Sequence, residues 1–326
     1  MLSSSRQALA RAFILISLLS SSSLLVAAET LQSDSILHYV PSLAGNAIIA
    51  GFWAVWSILI FFHVFRTRAW WALCLPFGLA LAAIAYGIRI KERTNQSSLG
   101  LYIVMYLMSV VASPACILAM GYITFGRMVM SQRSPLSILP PRLYTLIFVF
   151  SDIFTVLVQA AGGGIQASGA DHVDLGVSIF LIGVALQVGS YLFFCALVIE
   201  CHIKLLRMDR SYSLRRAFCF KGEHADDPAT STARLFLILY FTSIFIIIRL
   251  TYRTVENAEG WTGTLNSTEI YSFLLDALPL LLGTSIYIFI WPSKLLAQST
   301  PTDTVRQKLQ EWHQKRNTKD VEVAST

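Results

Sequence analysis

The residues of this sequence that could do chemistry are ionisable and amide side chains set inside apolar stretches. Asp152 stands between Phe150-Ser151 and Ile153-Phe154, and Asp276 follows Phe273-Leu274-Leu275. Arg249, Arg253 and Glu256 recur at i, i+4 and i+7, so they share one face of a helix. Gln159 follows Asp152 at i+7, Gln187 lies midway along another apolar run, and Arg89 ends a third, one turn after Tyr86. In hydrocarbon a charge costs about 2.5–3.5 kcal/mol at mid-bilayer, so it persists where it pairs, lines a cavity or meets a ligand. A buried carboxylate can hold an ammonium or a guanidinium, and a buried amide can bond a head group or a neighbouring helix. Asp152, Asp276, Gln159 and Gln187 are therefore candidate substrate contacts, and Arg89, Arg249, Arg253 and Glu256 a candidate gate or structural lock. Arg249 and Asp276 also fit a purely structural pair, and Gln187 fits a helix–helix hydrogen bond better than a ligand contact.

The elements that must position these groups follow from composition. Of 326 residues, 55% are hydrophobic and 13% charged. A soluble domain carries about 25% charged residues, so this chain cannot coat itself against water and lipid must be part of its solvent. The expected fold class is an all-α membrane protein, a seven-transmembrane-helix bundle with the N-terminus exoplasmic and the C-terminus cytosolic. Apolar runs of spanning length fall at Ala44–Phe65, Trp70–Ile88, Leu101–Ile123, Tyr144–Ala161, Leu175–Ile199, Leu235–Thr251 and Ile270–Trp291. Gly162 to Gly164 reads as a helix stop after the fourth.

Ahead of them, Arg6 and Arg11 precede a short Ser-interrupted apolar run ending at Ala27-Ala28, the pattern of a cleaved signal peptide over residues 1–28. Residues 29–43 are then an exoplasmic segment, 44–291 the membrane domain and 292–326 a cytosolic tail. With that orientation eighteen Lys and Arg residues fall inside and five outside, as the positive-inside rule requires. The net charge of +6 is accordingly a topology signal rather than a nucleic-acid patch. Two glycosylation sequons, at Asn95 and Asn266, both fall in loops expected outside. The loop His202–Ala233 reads as polar and mobile, with Asp226 to Thr232 disordered, and Val305, Leu309 and Trp312 suggest either a helix on the membrane surface or a solvated tail.

Several classes are disfavoured. No zinc-protease, Walker A, nucleophile-elbow or dinucleotide motif occurs, so no enzymatic activity, cofactor or metal is expected. The third run ends in Gly126-Arg127 with no acid beside the arginine, and the seventh lacks Asn-Pro-x-x-Tyr, so the usual marks of G-protein-coupled receptors are missing.

Taken in order along the chain, the polar landmarks resemble a known family. They are Tyr39-Val40-Pro41 with Asn46, Tyr86-Gly87-x-Arg89, Ala112-Ser113-Pro114-Ala115, Gly121-Tyr122 and Gly126-Arg127. Ser151-Asp152, Gln159, Gly162-Gly163-Gly164, Gly183 and Gln187 continue the series, which Arg249-x-x-x-Arg253-x-x-Glu256 and Asp276 complete. The chain resembles the fungal lipid-translocating exporters, membrane proteins linked to aminocholesterol resistance and sphingoid-base export. The resemblance implies seven spans and a transporter or floppase, in the plasma membrane or another membrane of the secretory pathway, that moves a lipophilic amphiphile of the sphingoid-base kind and gives resistance to toxic lipids. The partners implied are that amphiphile and the membrane itself, with no nucleic acid. The competing reading is a lipid- or stress-sensing receptor that signals through residues 202–234.

Overall fold

The computed structural model describes residues 41–94, 99–132, 141–167, 173–218, 227–259, 263–307 and 310. The expected signal peptide and Asn95 lie outside them. Among the described residues, seven helices are long and apolar enough to cross a membrane. They are α1 Leu43–Thr67, α2 Cys74–Glu92, α3, α4 Pro141–Ala167, α5 Val173–Met208, α6 Pro228–Glu259 and α7. Helix α3 runs as Leu99–Tyr106, a wider π turn Leu107–Ala112, and Ser113–Ser131; α7 runs as Glu269–Tyr271, a π turn Ser272–Ala277, and Leu278–Phe289. A short α8, Pro292–Gln298, follows.

Only helices meet every backbone hydrogen bond from within one segment, which hydrocarbon demands. The ends carry local signals. The Ser42 hydroxyl accepts from the Gly45 amide at the start of α1, and α1 ends on Arg68 in the left-handed region at φ 52°, its amide bonding the Phe65 and Val64 carbonyls. Each helix packs on the next in sequence, α7 returns to α1, and α3 also touches α6 across the ring. Helices α6 and α7 are the most buried, α1 and α4 the least. Large apolar side chains such as Phe289 (83% exposed) and Ile58 (67%) point out of the bundle, which in water would be an aggregation hazard and in a bilayer is the lipid-facing surface.

Three expectations are corrected. The glycines at 162–164 do not stop α4, which continues to Ala167. Gly162 is instead where α5 comes closest. A Cβ there would fall 2.5 Å from the Phe180 amide nitrogen and 2.8 Å from the Gly176 carbonyl, and across the crossing Gly183 lies against the Gln159 backbone. Small residues let the two backbones touch.

Next, Pro228 to Thr232 is not disordered. It forms the first turn of α6, with Thr230, Ser231 and Thr232 fully buried. The sixth helix therefore starts seven residues before the apolar run at Leu235.

Finally, Val305 is fully buried in the protein rather than spread on a membrane surface; Leu309 and Trp312 lie outside the described residues. Polar bonds tie the tail down. Gln132 donates to Thr232 Oγ1 at 3.0 Å and to the Ser299 carbonyl at 3.3 Å, while the Tyr212 hydroxyl donates to Gln132 Oε1 at 3.3 Å and accepts from the Thr302 amide at 3.2 Å. Asp209 accepts from Thr302 Oγ1 at 2.9 Å. Burial opposes the charge on Asp209, but its bonds from Ser211 and Thr302 outweigh that and hold its carboxyl below the usual range.

The α4–α5 crossing has a direct test. Gly162→Ala should destabilise the protein by about 1–3 kcal/mol through overpacking, read as a lower melting temperature in detergent. Gly51→Ala, which meets only open space, should leave the melting temperature unchanged or raise it slightly. Equal melting of the two variants would remove the close-packing role of Gly162.

Candidate functional site: two buried carboxylates

The predicted stripe of Arg249, Arg253 and Glu256 on α6 meets Asp276 of α7. Arg253 grips both carboxylate oxygens of Asp276, Nε to Oδ1 at 3.2 Å and Nη2 to Oδ2. Arg249 Nε stands 2.7 Å from Oδ1, an ionic contact rather than an aligned hydrogen bond. Arg253 Nη1 also donates to Glu256 Oε2 at 2.8 Å, and the Tyr252 hydroxyl bonds Glu256 Oε1 at 3.0 Å. The expected approach of Arg249 to Asp276 is present, with Arg253 as a second and bidentate partner.

The helix backbone is reshaped to suit this contact. Pro114 has no amide hydrogen, so it cannot complete the α-helical bond to the carbonyl four residues earlier, that of Val110. The chain widens into the π turn, where the Ser113 amide bonds Met108 five residues back. The free Val110 carbonyl accepts from Arg249 Nη2 at 3.2 Å. Helix α7 repeats the device: Pro279 follows a π turn in which the Leu278 amide bonds Phe273, and that turn contains Asp276. Such bulges cluster at functional sites.

Around this pair the cluster extends to α1 and α2. Arg89 donates to Ser272 Oγ at 3.3 Å and lies 3.7 Å from Glu269 Oε1. Glu269 in turn accepts from the Ser42 amide at 2.8 Å and from Asn46 Nδ2 at 2.7 Å. Arg89, Arg249 and Arg253 thus face Glu256, Glu269 and Asp276, three charges of each sign. Tyr86, Tyr102, Tyr106 and Arg89 border a cavity of ≈ 50 Å³ beside Asp276. That admits a few waters and no head group. Glu92, one turn beyond Arg89, is buried with neither carboxylate oxygen hydrogen-bonded, and the charge of Arg89 acts on it.

Gln159 does not join this cluster. It donates to Gln187 Oε1 at 3.0 Å across the α4–α5 crossing. Asp152 is separate as well. It is 4% exposed, Oδ2 accepts from the Tyr122 hydroxyl of α3 at 3.0 Å, and Oδ1 has no partner. Around it Tyr122, Phe148 and Phe194 are in mutual ring contact, with centroids 4.7–5.4 Å apart. Among the described residues no cation stands within ion-pairing distance of Asp152.

Sequence reasoning missed Tyr122 as the Asp152 partner and the second arginine on Asp276. It also missed both π turns, although prolines inside two apolar runs were the available signal. Asn266 falls in a short helix, Thr264–Ser267, between α6 and α7.

These features define an integral multi-pass membrane protein, with an ion cluster buried at one end and, on α4, an aspartate with one oxygen unbonded. The family profile described as RTA1 like protein matches residues 75–299, and the chain belongs to that family, in agreement with the resemblance read from its polar landmarks. It is 30% identical over 215 residues to Protein RTM1 of Saccharomyces cerevisiae, covering 66% of this chain and 65% of that protein. It is 30% identical over 212 residues to Protoporphyrin uptake protein 1 of the same species, covering 64% and 65%. With Sphingoid long-chain base transporter RSB1, again from Saccharomyces cerevisiae, identity is 25% over 293 residues, covering 80% and 75%. The chain thus spans 65% of the length of the first two, just short of two thirds. No solved structure matches it.

Removing the carboxylate at 276 strands two buried guanidiniums. Asp276→Ala should therefore cost about 3–5 kcal/mol, and most of the protein should leave the monodisperse peak in size-exclusion chromatography. Full recovery of folded Asp276→Ala protein would show that the cluster does not hold the helices together.

Proposed function

We propose that this chain is a membrane transporter that moves a lipophilic amphiphile with a cationic head group across or out of the membrane. The observation that carries the reading is Asp152, a buried carboxylate with one oxygen unpartnered and aromatic rings beside it. An ammonium group brought there supplies the missing counter-charge, and the ring faces attract a cation. The names of two relatives point the same way, one a sphingoid long-chain base transporter and the other a protoporphyrin uptake protein.

In this reading the two aspartates divide the work. Asp152 is the head-group contact, with Gln159 and Gln187 on the same α4–α5 pair as polar neighbours along the route. Asp276 is not free to hold a second ammonium, because Arg253 and Arg249 occupy its oxygens. It acts with Arg89, Arg249, Arg253 and Glu256 as a lock that closes one end of the bundle. The small cavity beside it supports a passage that widens when Arg253 releases Asp276. The charge bias supports placing that end exoplasmic and the tail in the cytosol, with the plasma membrane as the site of resistance to toxic lipids.

The test follows a fluorescent sphingoid base across vesicles containing the purified protein. Asp152→Asn keeps the shape and the acceptor for Tyr122 but loses the charge. It should melt like the parent and move the base at least about tenfold more slowly, the loss of one charge-assisted contact. Undiminished movement by Asp152→Asn would overturn the assignment of the head group to that carboxylate. In yeast membranes, a glycosidase-sensitive shift abolished by Asn95→Gln with Asn266→Gln checks the sidedness.

A further inference from the structure

The end of the bundle that carries the tail holds a second concavity, far larger than the one beside Asp276. It is an open surface concavity of ≈ 580 Å³. Its walls come from three places: Trp71 in the turn before α2, Arg127 and Met130 near the end of α3, and Ser293, Leu296 and Thr300 in and after α8. No residue bordering it is acidic.

Arg127 differs from the arginines of the buried cluster. Its guanidinium is exposed and lies 4.7 Å from the centroid of the Trp71 ring, so the aromatic face holds it in place without neutralising it. Among the described residues no carboxylate pairs with it. A guanidinium leaves its remaining N–H donors in a planar fork that fits two phosphate oxygens. Ser293 and Thr300 add hydroxyls at the rim, while Met130 and Leu296 supply an apolar wall.

The groove also sits at the level where the spans end, since α2 begins at Cys74, α3 ends at Ser131 and α7 ends at Phe289. That is the depth of lipid head groups, and tryptophan is at home there. Arg66, Arg68 and Lys294 are exposed at the same end and add positive potential. A ligand suited to this place has one anionic group for Arg127 and hydrocarbon for the apolar wall.

We propose that this groove binds an anionic phospholipid. Arg127 takes the phosphate, Ser293 and Thr300 bond the polar head, and the first part of an acyl chain lies against Met130 and Leu296. A free phosphate ion would leave the apolar wall uncovered, so the lipid is the occupant. The site is distinct from Asp152 and from the Asp276 cluster, and it stands whatever substrate the protein moves.

The experiment uses the full chain in phosphatidylcholine nanodiscs doped with phosphatidylserine, with retained lipid counted by native mass spectrometry and stability followed by melting. Phosphatidylserine should be retained in preference to phosphatidylcholine and should raise the melting temperature. Arg127→Gln should weaken that retention about tenfold, the loss of one charge-assisted contact. Thr300→Glu, at an exposed rim position, should weaken it as well by setting a carboxylate against the phosphate, which covers the case in which Arg127→Gln unfolds. Inorganic phosphate alone should leave the melting temperature unchanged. Equal retention of the two lipids, wild-type retention by a folded Arg127→Gln or Thr300→Glu, or the same stabilisation by inorganic phosphate would each overturn the proposal.

Discussion

Asp276 is a carboxylate held out of water between Arg253 and Arg249, and its burial is tolerable because cations meet both of its oxygens. In a bilayer the alternative is severe, since an unpaired guanidinium keeps its charge and an unpaired carboxylate must stay charged at high cost or take up a proton. The contact therefore fixes α6 against α7. Through Arg249 and the Val110 carbonyl it reaches α3, and through Arg89, Ser272 and Glu269 it reaches α2 and the start of α1. Five of the seven helices converge on one neutral cluster. The prolines at 114 and 279 belong to the same arrangement, because each opens its helix into a wider turn at the level where the cluster forms.

The second buried aspartate obeys the opposite rule. Asp152 receives one hydrogen bond from Tyr122 and no cation. A group that is costly to leave unmatched is poorly explained by structure alone, because an apolar residue would pack the same site more cheaply. Satisfied charges hold this bundle together, whereas Asp152, like Glu92, keeps a carboxylate oxygen without a bond. The two aspartates also differ in position. The Asp276 cluster lies where α1, α2, α3, α6 and α7 meet, whereas Asp152 lies between α3 and the α4–α5 pair, whose close crossing at Gly162 and Gly183 makes it a compact unit.

Much of this was legible in the sequence, and the reasons are physical. Span length and apolar content are set by the thickness of hydrocarbon, so all seven helices could be located, and helical spacing put Arg249, Arg253 and Glu256 on one face. The need of a buried charge for a partner also put Arg249 with Asp276. What spacing does not contain is rotation about each helix axis, which decides that Gln159 meets Gln187 and that Arg253 reaches Asp276 as well. The start of α6 was misread because Thr230, Ser231 and Thr232 have a polar composition, yet they are buried by their contacts with Gln132 and the tail. Hydropathy does not register a polar surface that is covered by another polar surface.

The central claim is that the Arg253–Asp276 pair acts as a unit whose value lies in mutual neutralisation. A double-mutant cycle measures that directly, using Arg253→Met, Asp276→Leu and the two together in thermal unfolding of the detergent-solubilised protein. Arg253→Met leaves Asp276 to Arg249 alone, and Asp276→Leu takes the carboxylate from both arginines; each should destabilise, while the double variant should be more stable than Asp276→Leu alone, with a coupling of about 2–3 kcal/mol. Losses that simply add would contradict the account, because they would mean that the two side chains contribute to the fold independently.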